Sequence, residues 1–106
     1  MDRKAHARLE ARARIIKAMA HPTRLLFVEE LAKGERCVCE LNDMVDADVS
    51  TISKHLAVLK NVGIVRDERR GSRVFYSLRT PCVLNFFSCV EGVLEAQARE
   101  RAELVS

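Results

Sequence analysis

Two cysteines separated by a single valine, Cys37 and Cys39, are the residues of this chain whose type and spacing are most suggestive of chemistry. Thiolates are soft donors and select soft ions, which admits trivalent metalloids as well as cadmium, lead or zinc. Arg36, beside Cys37, favours the thiolate form. Residues two apart diverge by about 200° on an ideal helix, whereas in extended chain they share a face. The pair is therefore expected to grip one ion only where the start of a helix is unwound, so that capture disturbs whatever that helix braces. The plain alternative is a pair of small buried hydrophobes. An internal disulfide is disfavoured by the tight spacing and by the reducing cytosol.

Cys82 and Cys89 lie seven apart, nearly on one helical face but roughly 10 Å apart along the axis. At most one of them can join Cys37 and Cys39. Cys82, near a helix start, is the favoured third metal ligand, and Cys89, among Phe86, Val90 and Val93, is expected to pack.

A second constellation suits nucleic acid. Ser50, Thr51, Ser53, Lys54 and His55 lie early in an amphipathic segment. A recognition helix presents such N-terminal residues to base edges and phosphates in the major groove. A satisfied structural histidine is the lesser alternative for His55. Arg66, Arg69, Arg70 and Arg73 cluster around a turn, where guanidinium groups fit phosphate or the minor groove.

The elements needed to position these residues follow from periodicity and punctuation. Asp2 to Ala20 reads as a helix ended by His21-Pro22, because the residue before proline avoids helical angles. A second helix starts at Pro22 and ends near Gly34. A short helix spans about Val38 to Val45, and Asp46-Ala47-Asp48 forms a turn. Asp48 or Ser50 then caps a helix from Val49 to Asn61, which stops at Gly63. Beyond Gly63 the pattern alternates. Strands at Ile64–Asp67 and Arg73–Leu78 flank the turn residues Arg69 to Ser72, giving a hairpin. Thr80 and Pro81 open a last helix with a wide apolar stripe from Val83 to Leu94.

The order predicts a mainly α fold with a small β-hairpin wing, a winged helix-turn-helix. One domain fills residues 1–106, with the helix-turn-helix at about 38–61, the wing at about 64–78 and the last helix at about 81–103. The 106 residues, 48% hydrophobic and 31% charged with net charge +3, suit one globular domain. So small a domain gains from dimerisation. No apolar run approaches the roughly 18 residues of a membrane span, and the charged N-terminus lacks a signal-peptide core. A cytoplasmic location follows as an expectation. A thiol oxidoreductase is disfavoured: the chain has no Cys-x-x-Cys motif, phosphate loop or βαβ pattern.

His21-Pro22-Thr23-Arg24, Cys37-Val38-Cys39-Glu40-Leu41, Ser50 to Leu56, Leu59 to Val65 and Arg69 to Tyr76 occur in an order that resembles the ArsR/SmtB family of metal-sensing repressors. The resemblance implies a homodimer joined through its first and last helices, bound to double-stranded operator DNA and released by an inducer. Cys-Val-Cys resembles the arsenic-responsive branch, which implies trivalent arsenic or antimony as inducer, with Cd, Pb or Zn as further candidates. Two departures stand out. Asn42 occupies the position where the arsenic-type pattern often carries a third cysteine. Thr80, Cys82, Val93 and Ala96 stand where the zinc-type site needs acidic and histidine ligands; the cadmium-type site of the family also draws on an N-terminal arm, which here offers only His6. The alternative function on the same fold is a redox- or persulfide-sensing repressor.

Overall fold

A computed structural model describes residues 1–105. Asp2 caps α1 (Arg3–Met19) by accepting a hydrogen bond from the Ala5 N–H at 2.7 Å. The helix stops where His21 adopts extended angles before Pro22. His21 is also the N-cap of α2 (Pro22–Ala32), its Nδ1 accepting from the Thr23 N–H at 3.1 Å. That capping role has no sequence signal, since histidine is a rare cap.

Past Gly34 the chain forms a strand absent from the sequence reading, β1 (Arg36–Cys37). It pairs antiparallel with β3 (Arg73–Leu78), and β3 pairs with β2 (Val65–Arg70), so the sheet runs β1-β3-β2. The wing is thus three-stranded rather than a bare hairpin. Gly71, at φ 64°, supplies the positive φ of the two-residue connection between Arg70 and Arg73.

Between β1 and the wing lie α3 (Val38–Asp43) and α4 (Val49–Asn61), the two helices of the helix-turn-helix. Ile52, Leu56 and Leu59 fix one face of α4 in a core with Phe27, Val28, Leu41, Ile64, Val65 and Tyr76. This i, i+4, i+7 spacing turns the opposite face of α4 outward. Lys60 Nζ pairs with Asp67 Oδ2 at 3.0 Å, tying the end of α4 to β2.

The last helix, α5 (Val83–Val105), starts two residues later than its Pro81 suggests, because Val83, Leu84 and Asn85 first donate three residues back. No α5 residue is fully buried. Phe86, Val90, Val93 and Leu94 are exposed, as are Leu9, Ile15 and Ile16 on α1. No helix of the described residues is long and apolar enough to cross a membrane.

Candidate nucleic-acid interface and dithiol site

Asp48 starts α4 by accepting from the Thr51 N–H at 2.8 Å and from Ser50 Oγ at 2.9 Å. The Thr51 backbone bond is the main reason its carboxyl sits below the usual range. With the apolar face of α4 inward, Ser50, Thr51, Ser53 and Lys54 are all exposed. Lys54, Arg69 and Arg73 make no ion pair among the described residues, so their charges remain available to an external anion.

Two residues of the predicted DNA-reading set are engaged elsewhere. His55 is half-buried, its Nδ1 accepting from Arg24 Nε at 3.1 Å and its ring 4.3 Å from that of His21. Arg24 also donates to the Ala18 carbonyl at 3.0 Å, so this cluster fastens α1, α2 and α4. Burial, then the neighbouring His21 and Arg24, holds the His55 pKa below its ordinary value. Arg70 forms a fork with the Glu35 carboxylate, pairs with Glu68 at 2.7 Å and lies 4.7 Å over the Phe75 ring. Its charge is thereby neutralised within the wing. Sequence spacing could not reveal Glu35, which lies 35 residues away.

At the cysteine site the structure corrects three expectations. Cys37 and Cys39 are joined in a disulfide, with Cα atoms 5.3 Å apart. Their sulfurs meet without any unwinding, because Cys37 is not in the helix: it is the extended N-cap of α3, which is regular from Val38 onward. The 200° divergence of two helical positions does not apply to a cap followed by a helical residue. Nor does Arg36 present an uncompensated charge to the sulfur, since Glu30 and Glu40 lie 4.0 and 3.8 Å from its guanidinium.

The two sulfurs differ. Cys37 is 2% exposed, and its Sγ accepts from the Glu40 N–H at 3.3 Å while Glu40 Oε1 accepts from the Cys37 N–H at 3.1 Å. This is a capping box with sulfur in the place of a hydroxyl. Cys39 is exposed.

No third ligand joins them. Among the described residues no group of three or more His, Cys, Asp and Glu is placed to hold a metal. Cys82 is exposed in the turn before α5, and Cys89 is exposed rather than packed. His6 pairs with Glu10 on α1 at 2.9 Å. Asn42 is half-buried with its Oδ1 lacking a partner, but an amide oxygen is a hard donor and no substitute for a thiolate. The donor set within the protomer is therefore two sulfurs, once reduced, which fits a thiophilic ion that completes its coordination from elsewhere.

The cysteine pair opens onto a cleft of about 380 Å³ lined also by Ser53 of α4, by Asp67, Val74 and Tyr76 of the sheet, and by Ser72 and Arg73 at the wing tip. The sulfurs, α4 and the wing thus share one surface depression. Ser72 was not singled out by sequence, because nothing local marks a turn serine as a cleft wall.

The profile described as bacterial regulatory protein, arsR family, matches residues 21–67, spanning α2, the helix-turn-helix and the start of the wing. The solution structure of the homodimeric winged helix-turn-helix domain of Mb0332 from Mycobacterium bovis, a possible ArsR-family regulator, superposes with a TM-score of 0.77 at 30% identity. It covers 94% of this chain and 93% of that one. The chain belongs to the ArsR family. Within it, the HTH-type transcriptional repressor SmtB of Mycobacterium tuberculosis is 39% identical over 70 residues, 66% of this chain and 52% of its own length. The arsenic resistance transcriptional regulator ArsR1 of Pseudomonas putida is 35% identical over 83 residues, 77% of this chain and 65% of its own. The matched segment is thus about half of the SmtB relative. In this family's frame, α3 and α4 are the helix-turn-helix and β2–β3 the wing.

Proposed function

We propose that this protein is a transcriptional repressor that holds double-stranded operator DNA as a homodimer and releases it when a thiophilic species engages Cys37 and Cys39. In this reading α4 enters the major groove with Ser50, Thr51, Ser53 and Lys54, while Arg69 and Arg73 meet flanking phosphates. The dimer closes through the exposed apolar faces of α1 and α5, as exposed patches of this kind mark association surfaces. Its place of work is the cytoplasm, and no enzymatic turnover is assigned to it.

Trivalent arsenic or antimony is the favoured inducer, with Cd, Pb and Zn as the softer-metal alternatives. Bound there, the ion would cross-link the reduced sulfurs of Cys37 and Cys39; a further ligand such as Cys82 would have to come from a rearrangement or a partner chain. The observation that carries the proposal is the shared cleft: whatever binds the sulfurs lies against Ser53 and Arg73, two of the groups assigned to DNA. Binding of inducer and operator then compete by linkage.

The disulfide favours a second reading, in which oxidation is the signal. The two thiols would lose two electrons and two protons to an oxidant such as peroxide, which becomes water. The test is operator release from the reduced protein, titrated separately with arsenite and with peroxide. Release by arsenite, abolished in Cys37→Ser and Cys39→Ser, supports the first reading. Release by peroxide alone would overturn it in favour of the second.

A further inference from the structure

The disulfide is asymmetric in a way that dictates where a third sulfur can attack. Cys37 Sγ is buried and hydrogen-bonded to the Glu40 N–H, whereas Cys39 is exposed at the cleft. Thiol–disulfide exchange requires access to the attacked sulfur and is faster when the departing sulfur is stabilised as a thiolate. Both conditions select Cys39 as the attacked atom and Cys37 as the leaving group.

The cleft also has a chemical preference. Arg73 lines it without an ion-pair partner among the described residues, whereas the acidic wall residue Asp67 is neutralised by Lys60. Ser53 and Ser72 add hydroxyls. A volume of about 380 Å³ lies in the range of small-molecule sites.

We infer that Cys39 is an S-thiolation site for a low-molecular-weight thiol bearing carboxylates, seated in this cleft with Arg73 as its anion partner. The inference rests on the oxidation reading of the proposed function. The incoming thiolate attacks Cys39 Sγ and forms a new S–S bond there. The Cys37–Cys39 bond breaks, and its electron pair leaves on Cys37 as a thiolate that keeps its bond from the Glu40 N–H. No electrons are gained or lost overall. The adduct fills the space between Ser53 and Arg73 and sets negative charge against incoming phosphates. Loss of one charge-assisted phosphate contact weakens operator binding on the order of tenfold.

Two arms test this with glutathione and its disulfide as probes. First, the oxidised wild-type protein is mixed with glutathione, quenched early with acid and peptide-mapped; the adduct is expected on Cys39. Second, Cys37→Ser and Cys39→Ser are each treated with glutathione disulfide. Serine keeps the cap of α3, so Cys37→Ser leaves a folded protein; with the exposed Cys82 and Cys89 replaced by Ser in both variants, its Cys39 is expected to be thiolated at least about tenfold faster than the buried Cys37 of Cys39→Ser. Arg73→Ala in the Cys37→Ser background slows glutathione disulfide by about three- to fivefold, the range of an exposed ion pair, and leaves cationic cystamine unslowed. Adduct on Cys37, equal rates in the two variants, or no charge preference overturns the inference. Comparing operator affinity of the dithiol and disulfide forms, without any small thiol, tests the oxidation reading separately.

Discussion

The two neighbouring arginines of the wing make the most discriminating mutational test, because the structure gives them opposite surroundings. Arg69 is exposed with no carboxylate partner among the described residues, while Arg70 is forked by Glu35, paired with Glu68 and stacked on Phe75. Each phosphate neutralised on duplex DNA contributes about 0.9 to the slope of log K against log salt. A symmetric dimer places two wings on the DNA, so Arg69→Ala is predicted to flatten that slope by about 1.8. Arg73→Ala follows the same arithmetic. Arg70→Ala removes a charge already balanced by two carboxylates, so it leaves the slope unchanged and lowers the thermal midpoint instead. Fluorescence anisotropy on a labelled duplex between about 50 and 200 mM salt reads this directly, and unrelated sequence suffices because the term is sequence-independent. If Arg70→Ala flattens the slope as much as Arg69→Ala, the fork opens on DNA and the assignment of Arg70 is refuted.

The His55 cluster predicts a pH dependence of stability. His55 is held below its ordinary value of 6.5, so the folded state disfavours the proton that the unfolded state accepts. Its contribution is complete above that value and is lost as pH falls through the lower folded value. Urea midpoints should therefore decline below pH 6.5, and His55→Gln, which keeps an acceptor for Arg24, should decline less steeply. For the dimer, Val93 is 57% exposed on α5. Burying that remainder is worth about 1 kcal/mol in each protomer, so Val93→Asp is expected to raise the dimer Kd by roughly 30-fold or more in sedimentation experiments.

What the sequence made legible was whatever local chemistry decides. Strand β3 occupies Arg73–Leu78 as its alternation predicts, and Asp48 caps α4 as its type predicts. Pro22 opens α2 and Gly63 closes α4. What stayed hidden depends on long-range partners. Strand β1 is two residues long and exists only through its pairing with Phe75 and Tyr76. Arg70 looks like any wing arginine until Glu35 is brought beside it, and His55 like any helix-face residue until Arg24 and His21 pack against it. The helix start at Val38 was legible, but not that it leaves Cys37 outside α3 as an extended cap, so that the sulfurs of Cys37 and Cys39 can converge. With Cys37 as the cap, the sulfurs meet beside an intact α3, so the proposed coupling to DNA runs through the cleft rather than through a frayed helix.

That coupling has a reciprocal consequence that needs no knowledge of the inducer. If DNA covers Ser53 and Arg73, it also covers the mouth of the cleft onto which Cys39 opens. The deciding measurement is the alkylation rate of Cys39 in the reduced Cys37→Ser protein by a bulky maleimide, with and without saturating operator fragment. The account predicts protection by about tenfold or more and, in a separate titration, weaker operator binding once the cysteine is alkylated. Equal rates, with DNA affinity unchanged by the label, would contradict it.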